Sequence, residues 1–571
     1  MDNNVKTDLS IVLSGEAGQG IQTLERLLMK MFKLSGRYVF SYSEFMSRIR
    51  GGNNSTEIRV SAQRVDSFLN RIDIFVPFGY GSMERFQERI TGDTIIIGDQ
   101  VFIEDRYRGS GNTVIGIPFL EIAKEFGGKT YINLVVMGFF AGLFGIKKDN
   151  VRDQVRTQFS RLAADVIEKN IKALEKGIEV GSEIAQTGTI EIPPKASRDV
   201  SEELLISGTE IIALGGIAGG CNFVSSYPMS PSTDVLVNFA KYSEKFNIVV
   251  EQAEDEICAV NMAIASWYAG GRAMVTTSGG GFALMTEGLS LAGAIESPLV
   301  IHVGQRPGPA TGMPTRTEQG DLLFALFSGH GEFPRIIYAP GNYSQGFYLT
   351  RRAFYMADKY QVPVIILTDQ FFLDSYGTVP MLNVDNSMSE NIIIETDPGY
   401  RRYQITESGI SPRGIPGYGT GTVCLDSDEH DEGGYITEDF AVRVAQVNKR
   451  MKKLQSMGPD SIPPDLYGPD DYRCIVVSWG STLNAILEAI ATSGRSDIAL
   501  LHYSQVYPLH DDTKKYLEKA QFAAIVENNY TSQFGTLIRM HMGFEFNKKI
   551  LKYNGMPFSV EELAKEFKKF V

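Results

Sequence analysis

Residues 247–281 read NIVVEQAEDEICAVNMAIASWYAGGRAMVTTSGGG, and this stretch sets the fold class. A short apolar run, Asn247 to Val250, leads into the acidic turn Glu251-Gln252-Ala253-Glu254-Asp255-Glu256. An apolar segment of helical length follows to Tyr268, then a second run, Ala273 to Thr277, that ends on Ser278 and three glycines. Strand, turn, helix, strand and glycine-rich turn in this order is the unit of a parallel sheet covered by helices.

Outward from this unit the alternation continues. Asn222 to Tyr227, Leu299 to Val303, Arg335 to Tyr338 and Pro363 to Thr368 are predicted strands of the same sheet. Earlier in the chain Leu9 to Ser14, Asp73 to Phe78, Thr94 to Ile97 and Asn112 to Phe119 read as buried strands, with helical patterns over Ile21 to Leu34 and Val151 to Lys176. The small, polar and proline-paired stretch from Gly181 to Asp199 reads as a linker. From Asp385 to Glu438 periodicity fails and Gly and Pro accumulate around SPRGIPGYGTG; a stretch this long without pattern is functional or connects domains. A last unit starts near Tyr472 with CIVVSWG, then DIALLHYSQVYPLH and FAAIVENN. The expectation is three successive α/β domains with mostly parallel sheets: 1–190, 200–384 and 441–571, with 385–440 as a connecting segment.

The 571 residues fit that count on a prior of ~150 residues per domain. With 43% hydrophobic and 22% charged residues the chain has the balance of a globular protein with large cores. A formal charge of −13 repels phosphate backbones and anionic lipid, so neither nucleic acid nor a membrane surface is an expected partner. The apolar run Tyr131 to Ile146 is shorter than the ~20 residues needed to span a bilayer, and the polar start MDNNVKTDLS lacks the order of a signal peptide. A cytoplasmic location is expected. Cys221, Cys258, Cys424 and Cys474 form no CxxC, and with six scattered histidines no local metal or cluster motif can be written, so no metal site is expected.

Several loops carry the chemistry. Gly15-Glu16-Ala17-Gly18-Gln19-Gly20 follows a strand and opens a helix, where glycines turn the backbone and leave N–H groups facing an anion. Its spacing is GxxGxG, not the dinucleotide GxGxxG, and a tight strand-to-helix connection needs the same small residues. Ser47-Arg48-Ile49-Arg50-Gly51-Gly52-Asn53-Asn54 offers two arginines to a diphosphate or a partner's acids, or is a solvated face. Ser225 to Asp234 (SSYPMSPSTD) is a proline-stiffened corner at the carboxyl end of a strand, where open α/β sheets bind ligands; read plainly, it supplies an N-cap at Ser232 or Thr233. Glu251 to Glu256 complements a helix dipole, but Glu256 precedes an almost wholly apolar helix, where desolvation raises a carboxyl's pKa. Ser278 to Gly281 invites close approach of a ligand. Arg306, in the loop Gln305 to Thr315 stiffened by three prolines, suits a carboxylate. Four of these loops are predicted at the carboxyl ends of strands in one sheet, and so on one rim.

The motifs GEAGQG, SRIRGG, YPMSPST, the helix from Glu256, TSGGGF and RPGPATGMPTRTEQGDL resemble those of the large subunit of the 2-oxoacid:ferredoxin oxidoreductases, with a gamma domain fused ahead of the alpha domain. The resemblance implies thiamine diphosphate held between this chain and a beta subunit that carries magnesium and a [4Fe–4S] cluster. It also implies coenzyme A as cosubstrate, ferredoxin as electron acceptor, and a dimer of αβ units. The implied reaction is oxidative decarboxylation of a 2-oxoacid, 2-oxoglutarate favoured, to acyl-CoA and carbon dioxide. On this resemblance Glu256 contacts the aminopyrimidine N1′ of the cofactor, with Glu254 as competing assignment, and Ser278 and Gly279 adjoin the cofactor. Tyr227, Pro228, Ser230, Arg306 and Thr315 contact substrate, and Gly15, Gly18, Gln19 and Gly20 contact coenzyme A. Two departures are visible: Ala17 replaces a common glycine, and Met229 and Ser230 replace Ile and Thr. Two other readings stand beside this one. A nucleotide-dependent dehydrogenase would use GEAGQG, and a non-catalytic assembly subunit would dock partners through the Gly/Pro segment.

Overall fold

A computed structural model describes residues 7–46, 52–108, 111–385, 388 and 392–570. The chain divides into two compact units, Met1–Ile206 with Ser375–Met381, and Ser207–Asp374 with Leu382–Val571.

The first unit is built on one sheet. Its strands in chain order are β1 (Asp8–Glu16), β2 (Tyr38–Glu44), β3 (Asn53–Ser61), β4 (Ile74–Pro77), β5 (Ile95–Gly98), β6 (Val114–Gly116) and β7 (Leu204–Ser207). β4, β5 and β6 extend β1 in parallel, whereas β3 pairs antiparallel with both β1 and β2. The antiparallel β2–β3 pair escapes a search for apolar runs because its inward face is polar. Glu25 is buried there and accepts from Ser41 and Ser43, Ser43 bonds Thr56 at 2.7 Å, and Arg59 and Arg89 pair with Asp8 and Glu57. Side chains that satisfy one another can occupy a core face without hydrophobic periodicity.

The apolar run at residues 131–146 is a core helix, Ile132–Leu143, crossing the helix Ala164–Gln186. Glycines set how closely they pack: a Cβ on Gly138 would lie 2.0 Å from the Leu174 carbonyl, and one on Gly177 would lie 2.1 Å from that of Val135. Backbones touch there, and Phe139, Phe140 and Leu143 fill the surrounding core. No single helix among the described residues is long and apolar enough to cross a membrane.

The second unit carries two sheets. The larger contains β8 (Phe223–Ser226), β9 (Val249–Gln252), β10 (Ala273–Ser278), β11 (Leu299–Gln305), β12 (Ile336–Tyr338) and β13 (Pro363–Asp369), all parallel, in spatial order 12-13-11-10-8-9. After it β14 (Ser375–Val379) returns to pair antiparallel with β2 in the first unit's sheet. The smaller sheet holds β15 (Asp465–Tyr467), β16 (Cys474–Trp479), β17 (Ile498–Tyr503), β19 (Phe522–Glu527) and β20 (Lys548–Leu551), while β18 (Gln505–Tyr507) crosses over to edge the larger sheet beside β12. Three sheets with helices, the α/β class expected from the sequence, are present, the first of them mixed in strand direction.

The described part of the Gly/Pro-rich segment is irregular and fastened to its own unit by buried charges. Arg402 donates to the Glu296 carbonyl and to Gln361, both at 2.8 Å. The Glu296 carboxylate lies 2.7 and 2.6 Å from the ammonium groups of Lys449 and Lys453. Burial alone would raise the Glu296 pKa; these lysines and Arg402 hold it down at about 2. Arg413 is paired with Asp358, which also binds Arg272 at 3.0 Å.

Candidate functional site

At the end of β9 the acidic turn divides its labour. Asp255 takes the capping position, its Oδ1 accepting from the Cys258 N–H at 2.7 Å, and so starts the helix Glu256–Tyr268. Glu256 therefore occupies the first helical position and turns inward, with 3% of its surface exposed, while Glu251 and Glu254 are exposed. Burial pushes the Glu256 carboxyl above its ordinary pKa, and the neighbouring Asp255 charge adds to the rise. Its Oε1 is withdrawn from water and has no hydrogen-bond partner.

What faces that oxygen is the glycine-built first turn of the short helix Gly279–Leu284, which follows β10 directly. A Cβ on Gly281 would stand 2.6 Å from Glu256 Oε1 and 2.2 Å from Thr277 Oγ1, so only glycine admits the carboxyl there. One on Gly279 would meet Asp321 Oδ2 at 2.5 Å, and the nearest neighbours of Gly280 are Met229 and the Ala310 carbonyl. Ser278 Oγ is a second buried polar atom without a partner. Three other loops thus touch this turn, because β9, β8, β10 and β11 are consecutive parallel strands whose carboxyl ends lie side by side.

Arg306 follows β11 and donates to the Ser230 carbonyl at 2.7 Å, joining the proline corner to the same rim. Ser230 itself is exposed, Tyr227 is 40% exposed, and Pro228 and Thr315 are half-buried. Ser232 turns its hydroxyl back onto the Met229 carbonyl at 2.8 Å and makes no cap bond, so the corner is braced internally. Beyond Arg306 the chain doubles back, with Gly312 at φ +53° against the Pro307 carbonyl and Met313 N–H bonded to it at 3.0 Å. Two buried glutamines clamp the far end of this loop. Gln305 accepts from the Asp321 N–H at 3.0 Å, and Gln319 bonds the backbones of Trp479 and Asn528.

The structure adds two acids to this site, Glu318 and Asp321. Burial raises Asp321 to about 6 against the pull of Arg306, and burial with the Asp321 charge raises Glu318 to about 7. Burial in turn lowers the pKa of Arg306, which Asp321 partly restores. The signal in the sequence is the pair of acids three residues apart in TEQGDL, shortly after the arginine.

In the first unit the loop Gly15 to Gly20 is folded by its own glutamine. Gln19 Oε1 accepts from the Glu16 N–H at 2.9 Å and Nε2 donates to the Phe78 carbonyl at 3.2 Å. Gly15 leaves room for that side chain, and Gly18 and Gly20 adopt φ of 94° and 74°. The helix Ile21–Leu34 begins there without a side-chain cap or an acid in its first turn, so no side chain of that turn neutralises the positive end of its dipole. Arg48 and Arg50 lie outside the described residues. All four cysteines are free, and burial pushes the Cys221 thiol up. Among the described residues no three His, Cys, Asp or Glu side chains gather into a metal site.

Two domain families match the chain: "Pyruvate flavodoxin/ferredoxin oxidoreductase, thiamine diP-bdg" over residues 215–449, and "Pyruvate ferredoxin/flavodoxin oxidoreductase" over residues 10–180. The chain is 32% identical to the 2-oxoacid:ferredoxin oxidoreductase subunit alpha of Sulfolobus sp, over 99% of this chain and 97% of that one. It is 30% identical to the 2-oxoglutarate synthase subunit KorA of Archaeoglobus fulgidus, over 57% of this chain and 88% of that one. Among solved structures it is similar to the 2-oxoglutarate:ferredoxin oxidoreductase from Magnetococcus marinus with 2-oxoglutarate, coenzyme A and succinyl-CoA bound. That match has a TM-score of 0.90, 27% identity and coverage of 99% of both chains.

Proposed function

The chain belongs to the 2-oxoacid:ferredoxin oxidoreductases, among their alpha subunits, and from that premise we propose that it oxidatively decarboxylates 2-oxoglutarate with coenzyme A and thiamine diphosphate. The observation that carries this reading is Glu256: a buried carboxyl with a raised pKa and an orphaned oxygen, held against a glycine turn on the rim that also bears Arg306.

These residues fit the cofactor's aminopyrimidine. Thiamine diphosphate, when bound, supplies an acidic carbon that adds to the 2-oxo group and accepts the electrons left by decarboxylation. The chain's own residues do the rest. Glu256 Oε1 would share a proton with the ring nitrogen, a role that the rise in its pKa on burial favours. Ser278 Oγ, buried and unpartnered, donates at the same turn, and Gly279 keeps the backbone close. Arg306 pairs with the substrate carboxylate, and Ser230 and Thr315 hydroxyls flank the oxo group beside Tyr227 and Pro228. In the first unit, Gly15, Gly18, Gln19 and Gly20 form the anion cradle for coenzyme A.

The alpha-subunit relatives make this one part of a multi-subunit enzyme. The chain's lack of a clustered cysteine motif fits a beta subunit that brings magnesium and a [4Fe–4S] cluster, passes electrons to ferredoxin, and forms a dimer of αβ units in the cytoplasm. The decisive experiment co-expresses the chain with a candidate partner bearing a CxxC cluster motif and a GDG magnesium motif, and assays coenzyme A-dependent reduction of ferredoxin or viologen. 2-Oxoglutarate should have the highest kcat/KM in a 2-oxoacid panel. No oxidation of any 2-oxoacid would refute the activity, and a preference for pyruvate would refute the substrate.

A further inference from the structure

Asp321 occupies the position before the helix Leu322–Phe327, where an aspartate ordinarily folds back onto the first helical N–H groups. Asp255, Asp369 and Asp439 do so in this chain. Asp321 makes no cap bond, and its Oδ2 is withdrawn from water without a partner. The carboxyl lies over Gly279 instead, on the turn that faces Glu256. Its backbone is held on both sides: Asp321 N–H donates to Gln305, while Gln533 bonds the Gly320 carbonyl and the Leu323 N–H at 2.6 and 2.9 Å. The charged groups facing it are Arg306 and Glu318 from its own loop. β11, the glycine turn and the helix Gln533–Met542 offer only the neutral Gln305, Gly279 and Gln533, and Glu256 stands across Gly281.

We propose that Asp321 is a positioning residue that couples the binding of a 2-oxoacid carboxylate at Arg306 to the uptake of a proton. The inference rests on the assignment of Arg306 as the substrate grip. One guanidinium compensates one carboxylate; when substrate arrives, an ionised Asp321, whose Oδ2 is withdrawn from water, becomes a second, uncompensated charge. Taking a proton from solvent onto Asp321 removes that charge, leaves the Arg306 charge to the substrate, and gives Oδ2 a hydrogen to donate. No other bond is made or broken and no electrons move.

The test uses the αβ complex and two probes that cannot decarboxylate, oxamate and N-oxalylglycine. Titration calorimetry at pH 7.5 in buffers of different ionisation enthalpy should show roughly one proton taken up per anion bound. Asp321→Asn should reduce that uptake to near zero. For turnover, the wild-type KM for the 2-oxoacid should rise about tenfold per pH unit above the Asp321 titration, and D321N should have a flat KM profile. No proton uptake by the wild type overturns the inference without any variant, as does unchanged uptake in D321N. A complex that turns over no 2-oxoacid refutes the proposed function instead, which separates the two failures.

Discussion

Asp255 and Glu256 are adjacent in sequence and opposed in use: the carboxylate of the first accepts from the Cys258 N–H at 2.7 Å, and the second buries an oxygen that no described residue satisfies. The cap sets the start of the helix from which the Glu256 carboxyl turns inward. With Asp255 closing the first turn, the next side chain lies against Gly281.

Glu256→Gln keeps the shape and loses the exchangeable proton. We expect turnover of the αβ complex to fall by about a hundredfold or more, with assembly by gel filtration unchanged. The exposed Glu254→Gln serves as the comparison; an equal loss there would move the assignment.

Asp255→Ala removes the cap bond and should cost about 1 kcal/mol of stability, read from the urea midpoint of the chain. It should also lower turnover, because the first helical residue is no longer held in place. Retained turnover with lowered stability would show that Glu256 is aimed by packing alone.

Gly281→Ala places a methyl group 2.6 Å from Glu256 Oε1 and 2.2 Å from Thr277 Oγ1. The carboxyl must move, so affinity for thiamine diphosphate, followed by fluorescence quenching of the complex, should drop along with turnover. Gly280→Ala, whose new methyl would meet nothing nearer than 3.8 Å, should retain both.

Arg306→Ala should raise KM for the 2-oxoacid roughly ten- to a hundredfold, the worth of a charged hydrogen bond. Arg306→Lys should restore only part of this, since an ammonium cannot reach both the Ser230 carbonyl and a planar carboxylate as a guanidinium does. Full recovery with lysine would argue for a point charge and against the fork.

The latch at Glu296 sets an acid limit. Its folded pKa is held near 2, below the ordinary 4.5, by Lys453, Lys449 and Arg402 against the effect of burial. In that window the unfolded chain binds the extra proton, so stability is complete above pH ~4.5 and declines as pH falls towards 2. Glu296→Gln should flatten this limb in urea titrations at successive pH values. Lys453→Met should destabilise by about 3–5 kcal/mol, because it strips a partner from a buried carboxylate.

The parallel sheet of the second unit could be read from its apolar runs, since its strands β11, β12 and β13 are buried along their whole length and carry mostly apolar side chains. β2 and β3 could not, because Glu25, Ser41, Ser43 and Thr56 satisfy one another within the core and so erase the periodicity. At the site, Glu256, Arg306 and the SGGG turn stood out by their place after strands. Asp321 did not, because an aspartate before a short helix looks like a cap until its carboxylate is seen lying over Gly279.

The amino-acid order by itself determined the alternation of strands and helices, the glycine and proline turns that end them, and the absence of local metal or cluster motifs. These follow from backbone sterics and side-chain polarity over a few residues. Which acid caps and which turns inward was decided only by tertiary structure, as was the place of Asp321 over Gly279, on the rim already expected to carry Glu256, the glycines and Arg306. Burial and the lack of a partner are properties of neighbours distant in the chain, and the strand order 9-8-10-11 is what brings those neighbours together.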